Sequence, residues 1–175
     1  MLAIPFYRQK KHYTCGPAVL RMALAALGIR KTEEYLAKIS GTSSSGTGNY
    51  GLSRALRKLK LSYTSGYRMA YKDLLPATKK GVVIVDWMPQ LIFPEHPEFI
   101  NSEEFNPKHD AHYAIVIAAG PSFIMLQDPV LGRRVRLPRT QFVRAWRDAG
   151  TSYHWMLVLL DAKTYKQLPS NKSNA

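Results

Sequence analysis

Residues Gln9 to Gly28 read QKKHYTCGPAVLRMALAALG, and this stretch constrains the fold more than any other. After Gly16 only Arg21 is charged before the run closes at Gly28. A helix that is apolar all round is buried on every side, whereas a surface helix carries a single apolar stripe. Thr14 is placed to act as N-cap, Gly16 and Pro17 fall at the first helical positions, and Gly28 suits the C-terminal end. Cys15, the single cysteine of the chain, therefore opens a buried helix. Unpaired N–H groups and the helix dipole favour negative charge there, which predicts a thiol shifted toward thiolate and a set of donors for a developing oxyanion. The competing reading is that Cys15 is simply a small buried hydrophobe.

A chain of 175 residues fits one domain with a sizeable core, read here as 1–162 followed by a polar tail over 163–175. The start, MLAIPFYRQ, has no basic region and meets Pro5 too early for a signal peptide. No apolar run is long enough to span a bilayer. One cysteine excludes an intrachain disulfide, so the fold needs no oxidising compartment and a cytoplasmic location is expected. The net charge of +13 invites a nucleic-acid partner, but the basic residues are spread and no nucleic-acid-binding motif is present. A solvated basic surface is the preferred reading, with no nucleic acid as partner. No Cys/His spacing suits zinc, and neither a metal nor another cofactor is expected.

Thr32 caps a second predicted helix over Glu33 to Ile39, with acids in its first turn as the dipole prefers. Gly41 to Gly51 is a polar loop whose glycines lack the context of a phosphate-binding fingerprint, and it reads as a connector. A third helix covers Leu52 to Leu59, and a short one Tyr71 to Lys80 despite Pro76. Val82 to Val85 is a buried strand. Asp86 to Asp110 reads as an irregular, lid-like insertion carrying six of the twelve acidic residues. Strands are predicted at His112 to Ala118, Phe123 to Gln127 and Arg134 to Leu137, joined by tight turns into an antiparallel meander. A helix over Thr140 to Arg147 and a strand over Tyr153 to Leu160 complete an α+β fold, helical in its N-terminal half and sheet-rich afterwards.

A cysteine nucleophile needs a base, a group to orient that base, and donors for the oxyanion. Of the five histidines, His112 begins a strand directly after the insertion, where side chains are well placed to point into a cleft. The next strand ends in Gln127-Asp128-Pro129. Pairing the two as a hairpin sets Asp128 beside His112, where a carboxylate can hold the imidazole in the needed tautomer. Asp128 also suits a turn cap before Pro129, and the two roles are compatible.

Gln9 six positions before Cys15, Cys15-Gly16-Pro17 at the head of a buried helix, His112-Tyr113 at a strand start and Asp128-Pro129 sixteen residues later form an ordered pattern. The pattern resembles family thirty-nine of the cysteine peptidases, the bacteriocin-processing domains of peptide-exporting ABC transporters, here without the transporter. The resemblance implies a papain-like fold and peptide cleavage through a thioester, after a glycine-rich leader in the relatives. It implies Cys15 as nucleophile, His112 as base, Asp128 as its orienting partner, and Gln9 with the Cys15 N–H as oxyanion hole. A peptide or protein substrate follows. Glu103, Glu104, Trp87 and Tyr113 are candidate substrate contacts, the two acids for basic side chains near the scissile bond. The alternatives are an acyltransferase using the same triad and a non-catalytic module that binds a peptide or an acidic partner.

Overall fold

The computed structural model describes residues 3–96, 112–146 and 154–160. Helix α1, Cys15–Ala26, is buried along most of its length. Arg21 escapes by laying its guanidinium 3.9 Å from the centroid of the Tyr7 ring. Gly28 ends the helical segment with φ of 78°, a conformation open to glycine at little cost, while its N–H reaches the Ala25 carbonyl. Helix α2, Glu33–Ser40, is capped as expected by Thr32, whose side chain accepts from the Tyr35 N–H. Helix α3, Asn49–Lys58, begins three residues before Leu52. The segment Tyr71 to Lys80 splits into a 3-10 turn, Tyr71–Asp73, and helix α4, Leu74–Lys80. Pro76 falls in the first turn of α4, where a missing N–H costs nothing.

Strand β1, Tyr63–Gly66, was not anticipated; YTSG is short and polar, and pairing with a distant strand is what makes it extended. Strand β2, Gly81–Trp87, reaches two residues into the stretch read as irregular, because Asp86 and Trp87 pair with Tyr113 and His112. A 3-10 turn follows at Pro89–Leu91. Strands β3 (His112–Ala119), β4 (Phe123–Asp128) and β5 (Arg133–Pro138) form the expected meander. Helix α5, Arg139–Ala145, and strand β6, Met156–Leu160, complete the described chain. The six strands form one antiparallel sheet in the order β1-β6-β2-β3-β4-β5.

Alternation along the strands divides the core. Val82, Ile84, Tyr113, Ile115, Leu157 and Leu159 pack with Val19, Leu20, Leu24, Leu36, Leu52 and Leu56 of α1 to α3. Val83, Val85, Trp87, Ala114, Leu126 and Val158 face the other way, onto α4, α5 and Trp146. Each fully buried Leu, Val or Ile contributes about 1.5–3 kcal/mol relative to exposure, so α1 is anchored mainly by its own apolar side chains. No helix among the described residues is long and apolar enough to cross a membrane.

Candidate functional site

Cys15 opens α1 and is 6% exposed. Its sulfur lies within hydrogen-bonding reach of the Tyr113 backbone N–H, at the start of β3 and one residue from His112. Burial pushes the thiol up to about 11, and the Asp128 charge adds to the rise; N–H groups of Tyr113, Gly16 and Cys15 itself oppose it without overcoming it. The expected shift toward thiolate is therefore reversed. Three oriented donors lower the cost of the anion, but removal of water from a sulfur anion is the larger effect.

His112 is 5% exposed and pairs with Trp87 across β2 and β3. Burial lowers its imidazole to about 4, so it is neutral at pH 7. Asp128 is fully buried at the end of β4. Its Oδ1 accepts from the N–H groups of Val130 (2.8 Å) and Leu131 (2.9 Å), and its Oδ2 from the indole of Trp87 (2.8 Å). Burial raises the carboxyl to about 6 against these donors, which still leaves it mostly charged at neutral pH. The turn-capping role of Asp128 is present, and its charge is felt at Cys15. At pH 7 Cys15 is thus a neutral thiol and His112 a neutral imidazole. That state suits a base that collects the proton as sulfur attacks, and differs from a preformed thiolate–imidazolium pair.

Glu33 organises the chain that leads into Cys15. It is 2% exposed, and its Oε1 accepts from the Lys10 N–H at 2.9 Å and from the Thr14 hydroxyl at 2.6 Å. Thr14 therefore makes no side-chain cap on α1; its hydroxyl also accepts from the Lys11 N–H (3.1 Å), and it closes this loop instead. Gln9 differs from expectation in the same way. Its Nε2 donates to the carbonyls of Lys11 (2.8 Å) and His12 (2.9 Å), so both amide hydrogens are engaged within the loop. Carbonyls in a tight loop need donors, and the nearest side-chain amide supplies them. The Gln9 backbone N–H reaches the Pro129 carbonyl at 3.3 Å, tying the loop to the Asp128-Pro129 turn.

Two candidate substrate contacts have other employment. Trp87 is fully buried and serves Asp128. Tyr113 is 6% exposed, its hydroxyl donating between Asn49 Oδ1 (2.7 Å) and the Thr47 carbonyl (2.9 Å). Both are strand residues with little or no exposed surface. Glu103 and Glu104, like most of the insertion and the 163–175 tail, lie outside the described residues. The 41–51 loop, read as a connector, proves to be part of the site's frame: a Cβ on Gly16 would sit 2.8 Å from Thr47 Cβ, so only glycine lets the loop pack so closely on α1. The sequence assigns no site role to Thr47, Asn49 or Glu33. The sole trace of Glu33 in the sequence is an acid after a capping threonine, which reads equally well as a dipole partner. Among the described residues no three of His, Cys, Asp and Glu gather closely enough to hold a metal ion.

Comparison with known proteins bears on this arrangement. An uncharacterised protein of Methanothermobacter marburgensis is 33% identical over 135 residues, covering 77% of this chain and 78% of its own. Another from Methanothermobacter thermautotrophicus is 31% identical, covering 71% of each chain. Among solved structures, the peptidase domain of Streptococcus ComA, a bi-functional ABC transporter, superposes with a TM-score of 0.66 at 21% identity, over 91% of this chain and 99% of its own. A double glycine motif protease from an AMS/PCAT transporter, in complex with its leader peptide, gives 0.66 at 19% identity over 91% and 93% of the two chains. At those identities the likeness is one of fold, and it agrees with the six-stranded α+β architecture. The model of the Peptidase_C39 like family matches residues 1–154, and the chain belongs to that family.

Proposed function

We propose that this protein is a cysteine peptidase that cleaves a peptide bond through a thioester on Cys15. One observation carries the reading: the only thiol of the chain sits at the head of a buried helix, against the Tyr113 N–H of β3, the residue after His112, and within the field of Asp128. His112, neutral at pH 7, takes the thiol proton as sulfur bonds to the substrate carbonyl carbon. It returns that proton to the leaving amine as the C–N bond breaks. Water then adds to the thioester carbon, His112 accepting its proton, and the released acid leaves a free thiol. Asp128 stabilises the imidazolium that forms transiently. The Cys15 N–H faces the developing oxyanion. Gln9 joins it by turning one amide hydrogen away from its loop carbonyl when substrate binds. A peptide substrate is supported by the leader peptide seen with one relative, and cleavage after a glycine-rich leader is the specific form proposed.

Incubation with a peptide library that includes paired-glycine leaders, read by mass spectrometry, tests this. Cleavage is expected in wild type and should fall by at least about 10³ in Cys15→Ala and in His112→Ala. Unchanged cleavage in Cys15→Ala, or none in wild type across the library, defeats the reading. Gln9→Ala should cut turnover by about 10²–10³ if the amide serves the oxyanion, with alkylation of Cys15 by iodoacetamide left intact; equal change in both assigns Gln9 to the loop alone.

A further inference from the structure

Asp128 has two oxygens, and its own turn holds only one of them. The Val130 and Leu131 N–H groups both meet Oδ1, so the turn supplies no donor to Oδ2. The second oxygen is met by the Trp87 indole at 2.8 Å, from a different strand and from a residue with no exposed surface. Trp87 is also the cross-strand partner of His112. One residue therefore sets its backbone against the histidine and its side chain against the carboxylate. We propose that Trp87 is a positioning residue, fixing the orientation of the Asp128 carboxylate relative to His112. This rests on the peptidase reading for its purpose, though not for its test.

The surroundings leave few other groups able to do this. The Asp128 charge acts on Cys15 of α1, which is neutral at pH 7, as His112 of β3 is. Arg133, paired with Asp128 across β4 and β5, is exposed, with its guanidinium 5.7 Å from the Phe93 ring centroid. Asp86, next to Trp87, belongs to the opposite side of the sheet, where it accepts from Asn49 Nδ2 at 3.5 Å. Trp87 is held in turn by Val85, Ala114 and the apolar cluster beneath α5. Phenylalanine would fill most of that space and lack only the donor, which separates packing from hydrogen bonding.

The experiment is nuclear magnetic resonance on the full chain. In wild type, the Trp87 indole N–H resonance is expected to move with pH along the same curve as the Asp128 carboxyl carbon. In Asp128→Asn that movement should vanish. Trp87→Phe should raise the Asp128 midpoint by about one pH unit, because a donor to the charged form has gone. With a peptide that wild type cleaves, the acid limb of kcat/KM should move upward by the same amount while KM holds. A Trp87 resonance indifferent to Asp128 titration, or an Asp128 midpoint unmoved in Trp87→Phe, overturns the proposal. Where Trp87→Phe does not fold, the wild-type and Asp128→Asn spectra decide alone. Absence of peptide cleavage would defeat the peptidase reading and leave the indole–carboxylate coupling still measurable.

Discussion

The two faces of the sheet are built from different materials. The face toward α1, α2 and α3 is mainly aliphatic around Tyr113 and Trp155, and its polar side chains reach distant segments: Gln127 donates to the Pro5 carbonyl at 2.9 Å, and Tyr113 reaches Thr47 and Asn49. The face toward α4 and α5 carries the aromatic side chains Trp87, Phe142 and Trp146, and Trp87 bonds the fully buried Asp128. Cys15 comes from the first face and the Trp87–Asp128 pair from the second. His112 begins β3, the strand whose Tyr113 N–H faces Cys15 and whose first residue pairs with Trp87. A thiol on a helix tip and a carboxylate bonded to a buried indole thus sit in different packing environments.

The sharpest way to break this contrast is to remove the charge beneath the aromatic face. Asp128→Ala strands three donors, the Val130, Leu131 and Trp87 N–H groups, in a dry interior. A loss of about 3–5 kcal/mol is expected, read by chemical denaturation. A loss below 1 kcal/mol would mean that the turn rebuilds without its carboxylate.

The pH dependence of stability separates the histidine from the carboxylate. His112 falls from 6.5 to about 4 in the fold, so the unfolded chain takes up that proton first and stability drops as pH falls from 6.5 to 4. Asp128 rises from 3.8 to about 6, so the fold takes up its proton first and stability grows as pH falls from 6 to 3.8. Each contributes on the order of 3 kcal/mol, and the two nearly cancel between those limits. Asp128→Asn should therefore unmask a loss of stability on acidification, and His112→Gln a gain, each relative to wild type. Matching slopes in the two variants would show that the groups do not titrate separately.

Smaller effects lie on the aliphatic face and its approach. Glu33→Ala releases the Lys10 N–H and the Thr14 hydroxyl, and should cost about 2 kcal/mol together with a fall in turnover. Turnover unaffected at that cost would confine Glu33 to stability. Tyr113→Phe removes the hydroxyl between Thr47 and Asn49 and should cost about 1 kcal/mol. Crystallography of that variant should show the 41–48 loop withdrawn from Gly16; an unmoved loop would mean that packing alone holds it.

Much of this was legible before any coordinates. The buried helix, the strand after Gly81 and the meander of β3 to β5 follow from periodicity and turn residues, which act over a few neighbours. What escaped depends on partners far along the chain. Strand β1 is extended because β6 lies beside it, nearly a hundred positions later, and nothing in YTSG announces that. Glu33 bonds a loop more than twenty residues upstream, and Trp87 an acid more than forty downstream.

The amino-acid order alone established the helices and five of the six strands, the lone thiol at a helix head, and the histidine and acid at the ends of neighbouring strands. Those are consequences of local spacing, which the chain carries wherever it folds. Only the tertiary structure decided the ionisation of the site and the employment of Gln9, Trp87 and Tyr113. Desolvation depends on everything packed around a group, and it reversed the direction that the helix dipole alone predicts for Cys15. Side-chain partners are likewise set by which surfaces meet, and that is a property of the assembled layers.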